Sequence, residues 1–341
     1  MLSSSTAQLI INISEHCMIG FGLFILLMGL IGNTLNIIVL NNLRLFRGNP
    51  SVFFFTFESI CNLAQLLINY PTRIMMDGFA VNYTDMSLIW CKMRAFLVSV
   101  LTLVPMFTVC CASFDQFLST HNQAFFRQKS TLVLAKYLTF AIVFIVILHG
   151  IPFIFLFDLP PSNICATYNA IFSRYYSFFY YPVMQGVLPM FVATLFSILA
   201  FRNVRRIVRR RTRIVRRRLD RQLTAMVLSR TACLAVLILP FTAYRIYILN
   251  ITVQPDQLVL SAINNNLLEV VTVTIFYINY SVNFYIFMAT SSRYRRQVMQ
   301  VLVKKIWFTF KYQLRFRLRR GNENRIAPEG IQNYDTSIEL E

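Results

Sequence analysis

An all-α membrane protein, a bundle of seven transmembrane helices followed by a short amphipathic eighth helix, is the fold that three features of this sequence predict. The chain is 56% hydrophobic and only 14% charged over 341 residues, with a mean hydropathy of +0.56, too apolar for a water-soluble domain of that length. Seven of its apolar stretches are long enough to cross the roughly 30 Å of hydrocarbon in a bilayer. The formal net charge of +19 falls between and after those stretches, which points to a membrane and away from nucleic acid.

The stretches run roughly over 17–40, 52–76, 90–118, 137–157, 176–201, 231–249 and 259–289. The first is too long for a signal-peptide core and is preceded by Glu15 and His16 with no Lys or Arg, so it is expected to be retained. The second contains Glu58, whose carboxylate costs several kcal/mol at that depth unless protonated or paired; near the inner end of its span it is expected to face an Arg or water. The third opens at Cys91 beside Trp90, stays apolar for about five helical turns, and closes on Asp115-Gln116-Phe117. Between the fifth and sixth lies a run with eleven arginines from Arg202 to Arg221. No Pro or Gly interrupts it, so both helices are expected to extend toward a short turn, with anionic lipid as the partner of the run. After the seventh, Val298, Leu302, Ile306 and Phe310 recur every fourth residue, the pattern of a helix lying on a membrane surface. The domains are therefore an outer N-terminus (1–16), the seven-span body (17–290), the surface helix (291–310) and a basic, then acidic tail (311–341) expected to be disordered.

Charge sets the expected orientation. With the N-terminus outside, Arg44, Arg47, Arg127, Lys129, the arginine run and the basic tail all lie inside, as the positive-inside bias requires. The Asn-x-Ser/Thr sequons at Asn12, Asn82 and Asn250 then fall outside as candidate glycosylation sites, while the match at Asn279 lies within a span. Cys91 and Cys165 sit at outer edges in the oxidising compartment, where a disulfide ties the loop after span four to the top of span three and leaves Cys17 free.

Taken together the motifs resemble the rhodopsin-like (class A) G-protein-coupled receptors over almost the whole chain. Span one has that family's Gly-Asn pair as Gly32-Asn33. Span two reads Ser59-Ile60-Cys61-Asn62-Leu63 where the family has Asp before Leu, with Pro71 near the outer end. The family's Asp-Arg-Tyr motif, 25 residues after the disulfide cysteine, falls on Asp115-Gln116-Phe117 (116 − 91 = 25). Pro189 and Pro240 hold the proline positions of spans five and six, although Ile238 replaces the usual Trp. Asn283-Phe284-Tyr285-Ile286-Phe287 stands for Asn-Pro-x-x-Tyr.

The resemblance implies a plasma-membrane receptor that binds an extracellular ligand and activates a heterotrimeric G protein by outward movement of span six. Its switch would comprise Asp115, Gln116, Asp220 at the foot of span six, Asn283 and Phe287. Neutral Gln116 in place of Arg can only hydrogen-bond Asp220, so a softer inactive lock and raised basal activity are expected, against the alternative that other residues make the switch or that coupling is poor. Asn33, Asn62 and Asn283 are expected to form an interhelical polar network. Asn62 in place of Asp argues against a sodium site, and Phe284 in place of Pro is expected to straighten span seven.

For the ligand, Val98 stands where amine receptors carry Asp, and Tyr277 where opsins carry the retinal Lys, so amines and retinal are disfavoured. Arg94, Arg245 and Glu269 amid Tyr180, Tyr181, Tyr244 and Tyr247 form an aromatic bowl with opposite charges suited to a short peptide, unless Arg245 and Glu269 simply pair with each other. No catalytic or metal motif is present and no cofactor is implied. The alternative reading, a transporter or channel, predicts paired halves and broken mid-membrane helices, for which the sequence shows no internal repeat.

Overall fold

The structure, a computed structural model, describes residues 2–42, 48–160, 164–208, 214–250 and 258–303, with the backbone alone at 2–3, 207–208, 214–220 and 249–250. Met1–Arg295 forms one compact unit and Arg296–Glu341 another. Seven helices of the first unit are long and apolar enough to span a membrane: Ser4–Asn42, Pro50–Phe79, Leu88–Thr120, Leu132–Leu156, Ala170–Arg206, Arg221–Ile248 and Leu258–Ser281, here spans one to seven. The all-α bundle expected from the sequence is therefore the fold. Among the described residues the only β structure is a two-residue antiparallel pair, Phe157–Asp158 with Ala166–Thr167, capping the link between spans four and five.

The bundle is arranged as lipid demands. Large apolar side chains such as Phe21, Phe24, Phe140, Phe155 and Phe191 point outward, while Asn33, Asn36, Asn62, Asn69 and Ser113 are buried between helices, where backbone and side-chain partners are within reach. Span three is the central rod, packed against spans two, four, five and six. Small residues bring helices close: a Cβ on Gly29 of span one would lie 2.4 Å from Ser281 Oγ and 2.5 Å from Leu66 Cδ1, and one on Gly150 of span four 2.9 Å from the Phe96 ring. The core runs through Leu66, Tyr70, Met106, Val109, Leu234, Ile238, Phe276 and Tyr280, from spans two, three, six and seven.

Three spans contain wide, π-helical turns: Gln65–Asn69 in span two, Tyr176–Val187 in span five and Ile263–Leu267 in span seven. Two of them lie at prolines, directly before Pro71 and around Pro182, where the missing N–H breaks the ordinary i to i−4 ladder.

Several expectations change. The first helix begins at Leu2, not at Cys17; Ser, Thr, Gln and Asn before Cys17 lower hydropathy without stopping a helix. Span seven is not straightened by Phe284. Its helix stops at Ser281 and resumes over Asn283–Thr290. Ser281 Oγ turns back to within 3.1 Å of Ile25 O and 3.4 Å of Tyr277 O, a hydroxyl-to-carbonyl contact of the kind that bends helices. The helix of span five runs on to Val208 and that of span six starts at Ile214, while the arginines between them, 209–213, lie outside the described residues. Residues 292–303 are helical; Ile306, Phe310 and the tail from 311 lie outside.

Candidate functional site

Cys91 and Cys165 are joined, with Cα atoms 5.7 Å apart. The loop is held a second time, because Cys165 N donates to Asp85 Oδ1 at 2.9 Å and Asn82 Nδ2 donates to Asp85 Oδ2 at 2.6 Å. The sequon residue Asn82 is thus half-buried and engaged through its amide, Asn12 lies on the exposed side of the first helix, and the Asn250 side chain lies outside the described residues.

One turn below the disulfide, spans two, three, five, six and seven enclose a cavity of about 210 Å³. Of the residues singled out from the sequence, Arg94, Val98, Tyr180, Tyr181, Arg245 and Tyr277 line it, joined by Arg73 and Tyr176. Tyr277 stacks on Tyr70 with ring centroids 4.0 Å apart, and Tyr176 and Tyr181 share a hydroxyl hydrogen bond of 2.6 Å. The Arg245 guanidinium lies 5.1 Å from the ring centroids of both Tyr181 and Phe241, a cation–π seat. Tyr244 is not on the wall: its hydroxyl donates to Asn264 O at 3.1 Å, a carbonyl in the wide turn of span seven. Glu269 reaches the cavity only through its partners. It binds Arg73 of span two and lies 3.4 Å from Arg245 of span six, so the Arg245–Glu269 pair exists but as one arm of a cluster. Arg73 adds Asp77 at 2.7 Å.

Toward the end of the bundle remote from the disulfide, Glu58 has found its arginine. Arg230 of span six donates from Nε to Glu58 Oε1 at 2.7 Å and from Nη1 to Asn279 Oδ1 of span seven at 2.7 Å, and both charged side chains are 1% exposed. Sequence reasoning passed over Arg230 because it lies just ahead of the apolar stretch taken as span six. The signal was available: a carboxylate inside a span requires a cation, and Arg230 stands within one apolar helix, ten residues before Pro240 (240 − 230 = 10).

At the end of the bundle remote from the disulfide, Asp115 accepts from Ser51 Oγ and Ser130 Oγ, both at 2.6 Å. Gln116 donates from Nε2 to Ser51 Oγ at 2.6 Å and accepts from Thr224 Oγ1 of span six at 3.0 Å. Among the described residues the span-six partner of Gln116 is Thr224; the side chain of Asp220, the expected partner, lies outside them. Phe287 packs at 4.7 Å between centroids on Phe55.

The asparagine network is partly formed. Asn33 donates to Gly29 O and Tyr280 O, each at 2.8 Å, and Asn62 donates to Asn33 Oδ1 at 3.5 Å. Asn283 does not join it: neither amide atom has a hydrogen-bond partner among the described residues. A chain the sequence did not suggest runs nearby, from the Tyr294 hydroxyl to Asn36 Oδ1 at 2.7 Å and from Asn36 Nδ2 to Ser59 Oγ at 2.7 Å. Burial pushes the Tyr294 phenol well above its ordinary range, so it stays a donor. Among the described residues, no three His, Cys, Asp or Glu side chains cluster as metal ligands. Neither protein-family models nor curated proteins yield a match to this chain.

Proposed function

We propose that this multi-pass membrane protein is a cell-surface receptor of the rhodopsin-like kind, with its disulfide end outside, which binds a ligand in the cavity and passes the signal to a heterotrimeric G protein at the opposite end. The observation that carries the reading is that spans two and six meet at three successive levels. With span three they line the cavity through Arg73, Arg94 and Arg245, between the two ends they are joined by the Glu58–Arg230 pair, and with span three again they close on the Ser51–Gln116–Thr224 junction at the far end. Displacement of span six by a ligand against Arg245 has a direct mechanical route to Thr224, because both sit on one continuous helix, Ile214–Asn250.

The described contacts of Asp115 and Gln116 at the far end are hydrogen bonds of one carboxylate and one amide to hydroxyls. Such bonds contribute about 0.5–1.5 kcal/mol each, so the span-six foot is weakly latched. The test is nucleotide exchange on purified G proteins by the chain in lipid nanodiscs, with ion and solute flux through vesicles measured in parallel. Exchange above the protein-free rate without flux supports the receptor reading, whereas flux without exchange makes the chain a transporter or channel.

A further inference from the structure

Three arginines line the cavity, Arg73, Arg94 and Arg245, but the two carboxylates of the same cluster, Asp77 and Glu269, are both committed elsewhere. Arg73 holds Asp77 and Glu269, and Arg245 shares Glu269. Arg94 of span three forms no ion pair among the described residues; its Nε donates to Thr72 Oγ1 at 3.2 Å, a bond that uses one of its five N–H donors, and the side chain lines the cavity. Cations and acids in the cluster sum to 3 − 2 = +1. A half-buried cation between spans is costly without a counter-ion, and the planar guanidinium fork matches a carboxylate through two parallel hydrogen bonds.

We propose that Arg94 is the anchor for a ligand carboxylate, and that the cavity takes a small monovalent organic acid or the carboxyl-terminal end of a peptide. The inference rests on reading the cavity as the ligand site, and not on G-protein coupling. One excess positive charge matches one carboxylate and leaves a dianion under-neutralised. The volume is below the roughly 300–1,000 Å³ of sites for drug-sized ligands, so one ring or one terminal residue fits, not a folded segment. Tyr176, Tyr180, Tyr181 and Tyr277 give that body aromatic walls, Val98, one helical turn beyond Arg94, adds an apolar side chain, and Gln65, Thr102 and Gln185 add neutral polar ones. A second cavity of about 120 Å³ lies on the other side of Arg94, walled by Phe153, Phe157 and the disulfide; it places Arg94 between two spaces and gives a larger acid a second direction in which to extend. A cationic ligand meets a net positive charge here.

The test is binding to the purified full chain in nanodiscs, read as ligand-induced thermal protection. Benzoate and 3-phenylpropanoate are compared with their amides, and the dipeptide Ala-Phe with Ala-Phe amide. A charge-assisted pair predicts a preference for acid over amide of about tenfold or more. That preference falls to about twofold or less in Arg94→Gln and is retained in part by Arg94→Lys. Val98→Asp guards against misfolding of the arginine variants: it supplies an internal carboxylate at i+4 and is expected to abolish acid binding in a folded protein. Preference in the small acids alone assigns a metabolite-like ligand, and preference in the dipeptide alone assigns a peptide terminus; both support the inference. Equal binding of acid and amide, binding of no acid at all, or an undiminished preference in Arg94→Gln or Val98→Asp overturns it. Acid-selective binding without nucleotide exchange leaves the carboxylate site standing and sinks the coupling reading, while exchange driven by a neutral or cationic ligand with no acid preference does the reverse.

Discussion

Replacing Glu58 with Leu or Arg230 with Met breaks the one ion pair found deep inside the bundle among the described residues, and the structure fixes what each change costs. With Nε and Oε1 2.7 Å apart, the charge centres lie about 4 Å apart and attract by about 4 kcal/mol at an effective dielectric of about 20. Desolvating the two ions opposes this with several kcal/mol each, so the intact pair is close to break-even against an apolar pair of the same volume. An ion left alone is different, and removing one partner costs about 3–5 kcal/mol. Arg230→Met also strips Asn279 Oδ1 of its donor, adding about 1 kcal/mol. Denaturant unfolding of wild type, Glu58→Leu, Arg230→Met and the double variant in nanodiscs closes a double-mutant cycle. Each single variant is expected to lose about 3–5 kcal/mol and the double variant to return to within about 2 kcal/mol of wild type. Additive losses, or single losses below about 1 kcal/mol, refute the pairing.

Four further outcomes follow from other contacts. Gly29→Ala places a methyl within 2.4 Å of Ser281 Oγ and 2.5 Å of Leu66 Cδ1, so it is expected to destabilise by about 1–3 kcal/mol, read as a lower unfolding midpoint. Cys91→Ser opens a loop with a sequence separation of 74 residues and is expected to cost up to about 4 kcal/mol, matched by reductant on wild type and absent when reductant is added to the variant. Tyr294→Phe leaves Asn36 Oδ1 without its donor, a loss of about 1–3 kcal/mol by unfolding, constant from neutral to mildly alkaline pH because the buried phenol does not ionise there. Gln116→Arg puts a charge where Gln116 now contacts Ser51 and Thr224; basal nucleotide exchange is expected to change by severalfold, and an unchanged rate counts against a role for this junction in the switch.

The seven spans were readable because hydrocarbon imposes a long apolar run, a local property of sequence. The disulfide was readable because two cysteines fall at one end of the expected topology. Contacts that join distant segments were less so. Arg230 and Glu58 are separated by 172 residues, and periodicity carries no information about which buried charge meets which. Tyr244 was assigned to the pocket because it stands beside Arg245 at the outer end of span six. The wide turn at Ile263–Leu267 frees a backbone carbonyl, and the phenol takes that instead. Arg73, which lies past the wide turn at Gln65–Asn69 and two residues after Pro71, also lines the cavity and was passed over.

Those wide turns have a mechanical meaning. Each stores one residue more than a regular turn, and in spans two and five the stored segment supplies Gln65, Tyr176, Tyr180, Tyr181 and Gln185 to the cavity wall. Tightening such a turn screws the upper half of its rod by about 100° against the lower half, from 3.6 residues per revolution, with both membrane anchors left in place. The cavity wall is thus built partly from slip joints, turns that can wind or unwind while the rest of the rod stays helical.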